Sequence, residues 1–307
     1  MQERNNQNNE NNQPLIERNN IRENTLILNK DFFIPWTSLS TNFGIYNEYY
    51  SLYKNSPRKN SLFYFFQSIL FPNLLPTKIT FIIGILNVII YIITLSYGLE
   101  STNKEDFLSP KMTTLDKFGY FCPYSIKENK YNLYRCLTAN FLHLNLRHLL
   151  FNTFGLFMFC SLFEMFIKKY QFLLIYIICG FCGYCSSGRF YNEKDWSVGS
   201  NSSIFGIHGA FTAFFILNWR ELNRNFGDWG KFYCLYFLSI LSFIFFLFYL
   251  VSNFIDIFSQ VSGAYYGFLF YSVFFTPINS SKCKKIWRII SLIILLTSVF
   301  LDVYFYL

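Results

Sequence analysis

What constrains this chain most is the recurrence of apolar runs long enough to cross a membrane. Stretches at 79–97, 146–167, 172–186, 200–217, 232–251, 258–275 and 289–306 consist mainly of aliphatic, aromatic and small residues. A hydrocarbon core about 30 Å thick takes ~20 residues of helix, and backbone polar groups in lipid must be satisfied within the segment. The runs therefore predict an all-α fold, a polytopic membrane helical bundle of seven spans. Composition agrees: only 14% of the 307 residues are charged and 22% are aromatic, which argues against a soluble enzyme. The net charge of +8 comes from short basic clusters between apolar runs. That distribution points to the lipid bilayer as partner and away from nucleic acid.

Residues 1–24 are rich in Asn, Gln, Arg and Glu and have almost no aliphatic content, so they read as a disordered arm. Glu3, Glu10, Glu17 and Glu23 do not suit a mitochondrial transit peptide, and no apolar run lies near the start. Membrane targeting is expected from an internal span. Segment 25–78 is mixed, and its apolar run at 62–75, broken by Pro72 and closed by Pro76, is too short to span and suits the membrane surface. Basic loops set the orientation: Lys168 and Lys169, then Arg220, Arg224 and Lys231, then Lys282, Lys284, Lys285 and Arg288 are expected in the cytosol. This puts the N-terminus in and the C-terminus out. The connection between the first two spans disobeys, with Lys104, Lys111, Lys117, Lys127, Lys130 and Arg135, and is outvoted by the others.

Polar side chains within a span are costly unless they face the bundle interior, so they mark candidate sites. The densest set runs through Arg135, His143, His148, Asn152 and Glu164. His148 and Asn152, four residues apart, share a helix face and can hydrogen-bond to one point. On spacing alone they serve equally well as interhelical hydrogen-bond contacts.

The run Tyr134-Arg135…Thr138…Phe141-Leu142-His143…His148…Asn152, with Pro123-Tyr124 upstream, resembles the first-loop and second-helix signature of the rhomboid family of intramembrane serine proteases. Val198 to Gly209 is similar to that family's fourth-helix motif, and Ile255-Asp256…Gln260…Gly263…Gly267 to its sixth. The resemblance implies a six-helix membrane domain over 79–277, then a linker and seventh span over 278–307, the arrangement of secretory-pathway rhomboids. It also implies that His148 and Asn152 hold an oxyanion, that His143, Arg135 and Glu164 are structural, and that Gly199, Gly206, Gly263 and Gly267 are packing positions.

One departure bears on activity. Counting back from Gly206 puts Asn201 in the nucleophile's place, and counting back from Gly263 puts Gln260 in that of the general base. Serine hydrolysis needs an activated hydroxyl and an imidazole that takes and returns its proton. Carboxamides do neither near neutral pH. Ser200, Ser202 and Ser203 flank Asn201, but each helical step turns the side chain by about a quarter circle. His208 shares the face of Asn201 but is two turns away, about 10 Å. The resemblance then implies a catalytically inactive relative that binds transmembrane segments of client proteins, with an active intramembrane endopeptidase as the rival. Asn201 and Gln260 are expected to face and pair with each other across a polar cavity.

Eight cysteines complete the reading. Cys179, Cys182 and Cys185 recur every third residue without a further ligand, so no metal or other cofactor is expected and small buried side chains are. Cys122 and Cys136 share the first loop, where a disulfide between them is open.

Overall fold

The computed structural model describes residues 71, 74–100, 107–164, 166–192, 195–219, 256–275 and 281–306. The arm at 1–24, most of the run at 62–75, the basic loop at 220–231 and the fifth span expected at 232–251 lie outside the described residues. The described part is helical, with only isolated bridges between Leu99 and Pro110 and between Phe121 and Ser197.

The first span is α1, Ile79–Ser96. Its buried positions, Thr80, Ile83, Gly84, Asn87, Tyr91 and Thr94, recur every three to four residues and are mostly small or polar. Ile82, Ile85, Leu86, Ile89, Ile92 and Ile93 are exposed. In water that pattern would be inside out. In lipid it is what packing dictates, because small residues let helices approach while the tails solvate the large aliphatic ones.

The connection to the next span is folded. It holds α2 (Met112–Phe118), α3 (Pro123–Glu128) and α4 (Arg135–Thr138), with tight turns at Lys130–Tyr134 and Ala139–Phe141. Arg135 fixes it through an ion pair to Asp116 at 2.8 Å and a bond to the Tyr120 carbonyl at 3.4 Å. The Thr138 hydroxyl donates to the Gly119 carbonyl at 2.6 Å.

The second span, α5 (Leu146–Phe163), starts under an Asn145 cap, whose side-chain oxygen accepts from the His148 N–H at 2.8 Å. A π turn at Leu156–Cys160 interrupts it. It stops four residues short of the expected end because Glu164 is otherwise engaged. That carboxylate accepts from the Ile79 N–H at 2.8 Å, the Thr80 N–H at 2.9 Å and the Thr80 hydroxyl at 2.6 Å, satisfying orphan donors of the first turn of α1.

Then come α6 (Lys169–Ser187), α7 (Asn201–Leu217), α8 (Ile257–Phe274) and α9 (Lys282–Tyr306). The last begins seven residues before the expected 289, so Lys282, Lys284, Lys285 and Arg288 belong to the helix itself. Long basic stems tolerate a helix end near a membrane surface. Among the described residues, four helices are long and apolar enough to cross a membrane: α1, α5, α6 extended to Phe190, and α9. The central packing unit is α6 with α7 and α8. Ser202 meets Gly263 and Gly206 meets Gly267, so α7 and α8 run in the same direction. Gly180 meets Ser203 and Gly183 meets Ser202, so α6 runs against them. The starts of α5, α7 and α8 and the ends of α6 and α9 therefore gather at one end of the bundle.

Candidate functional site

The site forms where the strand-like approach to α7 is pinned between the first loop and α6. Phe121 and Ser197 exchange backbone bonds at 3.0 and 2.9 Å, and the Gly199 N–H donates to the Ala139 carbonyl at 2.8 Å. The Gly199 carbonyl accepts from the Tyr184 hydroxyl at 2.8 Å. Gly199 has φ +123°, a left-handed conformation that favours glycine. A Cβ there would also lie 2.6 and 2.7 Å from the His148 ring and 3.2 Å from Asn152 Nδ2. Both reasons make glycine obligatory, and the same contacts put His148 and Asn152 side by side against the α7 entry.

Asn201, the first residue of α7, is buried, and its Nδ2 lies 3.2 Å from His148 Nε2. It donates to that nitrogen when the ring carries its proton on Nδ1. The His143 ring meets the His148 ring edge-on at 5.5 Å and is fully buried. Burial, and secondarily the neighbouring His148, hold the His143 imidazole well below its ordinary pKa, so it is neutral.

Gln260 does not make the expected pair with Asn201. No hydrogen bond joins the two amides: Asn201 Oδ1 and Gln260 Nε2 are both buried without a partner among the described residues. The Asn201 amide nitrogen instead meets the His148 ring of α5, which lies against the Gly199 turn. The register of Gly263 with Ser202 nonetheless sets Gln260, one turn earlier on α8, level with 199–201. Asn152 Nδ2 is also buried and unpartnered. The end of the bundle thus presents two free amide donors and one free amide acceptor at one level.

The neighbouring serines point elsewhere. Ser202 Oγ lies 3.4 Å from the carbonyls of both Cys179 and Gly180 on α6. Ser203 Oγ donates to Asn140 Oδ1 at 2.8 Å, and Asn140 Nδ2 to the Cys136 carbonyl at 2.9 Å. Ser200 Oγ alone of the three is buried without a partner. His208 packs edge-on against Phe205 at 6.4 Å, further along α7. Gly206, Gly263 and Gly267 sit where the α7 and α8 backbones touch, and a Cβ at 263 or 267 would overlap a carbonyl of the facing helix.

Sequence reasoning missed one polar constellation. Asp302 near the end of α9 pairs with Arg189 at 2.7 Å and accepts from the Tyr266 hydroxyl. The signal was available, because Asp302 is a lone acid inside an apolar run. Of the cysteines, Cys122 and Cys136 do not meet; Cys136 Sγ lies 3.1 Å from Cys185 Sγ instead. No group of three or more His, Cys, Asp or Glu that could hold a metal ion occurs among the described residues.

The fold and its buried polar end define a multi-pass helical membrane protein built around a site at the α5, α7 and α8 entries. Residues 130–277 match the family model of the Rhomboid domain. The chain is similar to RHOMBOID-like protein 6, mitochondrial, of Arabidopsis thaliana, 29% identical over 40% of this chain and 39% of that one. It is also similar to Putative rhomboid protease YdcA of Bacillus subtilis (strain 168), 35% identical over 29% of this chain and 44% of that one. A third relative is Inactive RHOMBOID-like protein 8 of Arabidopsis thaliana, 26% identical over 41% of this chain and 36% of that one. The chain spans about two fifths of the length of these curated relatives. Residues 130–277 thus carry a rhomboid-family domain, and the chain is an integral membrane protein in a lipid environment.

Proposed function

We propose that this rhomboid relative is not a protease and that it binds transmembrane segments of client membrane proteins, in trafficking or quality control. The observation that carries the reading is the Asn201 amide against His148, in the place where the family resemblance puts a nucleophilic hydroxyl. An amide nitrogen is not a usable nucleophile at neutral pH, and the Gln260 carboxamide is too weak a base to take a proton and return it. Ser202 and Ser203 hydrogen-bond toward α6 and Asn140, away from the imidazole. Free donors on Asn152 and Gln260 and a free acceptor on Asn201 suit a neutral polar group of a client segment, which in lipid has few other partners. One relative bears the name of an inactive protein, which accords with this reading.

The competing reading is an active intramembrane serine endopeptidase. It rests on the unpartnered Ser200 hydroxyl and on the relative named as a putative protease. We further place the domain at 79–277, the linker and a seventh span at 278–307, and the segment at 25–78 in the cytosol, in a membrane of the secretory pathway. The short basic loops support this orientation.

A fluorophosphonate probe applied to the protein in detergent separates the two readings. The expected result is no covalent label and no cleavage of a transmembrane substrate. A label lost in Ser200→Ala would establish the enzyme. A photo-crosslinker at position 260 should capture client transmembrane segments in intact membranes, and capture unchanged by Asn152→Ala and Asn201→Ala would remove the binding role from this site.

A further inference from the structure

Cys136 and Cys185 come from parts of the chain 49 residues apart and meet with their sulfurs 3.1 Å from one another. Cys136 belongs to α4 in the first loop and Cys185 to the last turn of α6. Both are buried, in a cluster with Phe121, Tyr184 and Tyr306. Of the seven described cysteines, these two alone have sulfurs in contact among the described residues. A disulfide bond is about 2.05 Å long, so closure moves the sulfurs by about 1 Å, within reach of small side-chain rotations.

The backbone on each side is already fixed. The Cys136 carbonyl accepts from Asn140 Nδ2 at 2.9 Å, and the Cys185 carbonyl accepts from the Tyr306 hydroxyl at 3.0 Å. Asn140 in turn accepts from Ser203 at the start of α7. A covalent link at this point therefore ties together the first loop, α6, the entry to α7 and the last turn of α9. It also lies at the bundle end where the free amides gather.

We propose that Cys136 and Cys185 are joined by a disulfide in the mature protein, stapling the first loop onto α6. The oxidant is a protein disulfide of the thiol-oxidoreductase class. One cysteine thiolate attacks that disulfide and forms a mixed disulfide, releasing one oxidant thiolate. The second cysteine thiolate then attacks the mixed disulfide at the first cysteine's sulfur and releases the other oxidant thiolate. The chain loses two protons and two electrons, and the oxidant leaves as its dithiol. The exchange takes place as the loop docks, before packing closes over the sulfurs. It requires this end of the bundle to face an oxidising compartment, and it is independent of whether the Asn201 place supports catalysis.

The test uses the whole chain made in a eukaryotic cell, quenched in acid, denatured and alkylated without reductant, then digested and analysed by mass spectrometry. The expected product is one linked peptide pair containing Cys136 and Cys185, two hydrogens lighter than the sum of its parts and lost on reduction, with Cys122 alkylated. Cys122→Ser should leave that pair intact. Alkyl label on both Cys136 and Cys185, or a link from Cys136 to Cys122, would overturn the proposal. In thermal unfolding, Cys136→Ala and Cys185→Ala should lower the midpoint equally and the double variant no further, whereas additive losses would also count against it.

Discussion

The α7–α8 pair and the docking of α9 hold helices together in the same lipid by opposite means. Between α7 and α8 the backbones touch: Gly206, Gly209, Gly263 and Gly267 line the contact, and a Cβ at 209 would overlap the Ala264 carbonyl. Along α9, only Ser291, Leu295, Ser298, Asp302 and Tyr306 of 25 residues are buried, one narrow stripe. That stripe is fastened by polar side chains: Ser298 to Tyr265 at 2.6 Å, Asp302 to Arg189 and Tyr266, and Tyr306 to the Cys185 carbonyl. Lipid tails are as apolar as leucine, so burial of apolar surface drives neither contact. Close packing along the whole length secures the pair that forms the site. A polar clasp concentrated toward one end secures the helix outside it.

The largest effect should come from spoiling the close contact. Gly267→Val puts a branched side chain where even a Cβ overlaps the Gly206 carbonyl, and no flexible neighbour can yield. We expect a loss of ~3 kcal/mol or more, at the upper end of overpacking effects, read as loss of the monodisperse peak in detergent. A normal unfolding midpoint would show that α7 and α8 can separate without cost.

The clasp should fail more gently and locally. Asp302→Ala removes the ionic partner of Arg189, but that side chain keeps its bond to the Ser186 hydroxyl at 2.6 Å and, at 28% exposed, can reach water. The cost should be about 1–2 kcal/mol, below that of breaking a fully buried pair. Hydrogen exchange should rise in the last two turns of α9 and remain unchanged in α7 and α8. Replacing both partners with apolar residues, Arg189→Met with Asp302→Leu, should restore much of the loss. Exchange that rose equally in α8 would mean that the clasp supports the site helices too.

Glu164→Gln tests the far end of the bundle. The carboxylate accepts three bonds from α1, two of them from backbone donors with no other partner. An amide retains one accepting oxygen, so we expect about 1 kcal/mol of destabilisation, confined to exchange in the first turn of α1.

How legible each of these was in the sequence follows from the range of the physics. Apolar runs report local burial in lipid, so the spans at 79–97, 172–186, 200–217 and 258–275 fall within about three residues of the helices found. The glycine positions were readable because four-residue spacing puts Gly263 and Gly267 on one face. Asp302 was readable too, as a charge inside an apolar run, but its partner Arg189 was not. Pairings such as Glu164 with Thr80, Cys136 with Cys185 and Asn201 with His148 join residues 49 to 84 apart, and spacing along the chain carries no trace of them. The family resemblance singled out Asn201 and Gln260 but not the partner that the Asn201 amide nitrogen finds, because His148 comes from a third helix.

The smallest effect sharpens the comparison most. Ser298 donates to the Ile294 carbonyl within α9 at 2.9 Å, so its remaining lone pairs are free to accept from the Tyr265 hydroxyl at 2.6 Å. Ser298→Ala removes this neutral bond while leaving Asp302 and Tyr306 in place, and the Ile294 carbonyl keeps its helical partner. Interhelical hydrogen bonds of this kind are worth roughly 0.6 kcal/mol on average, since the separated helices find other partners in the membrane. A loss of that size, about a third to a half of the Asp302→Ala effect, would assign most of the clasp to its charged pair. A loss as large as that of Asp302→Ala would instead make α9 a helix held by evenly distributed contacts along its stripe, and the contrast with the α7–α8 pair would then lie only in the size of the residues at the contact.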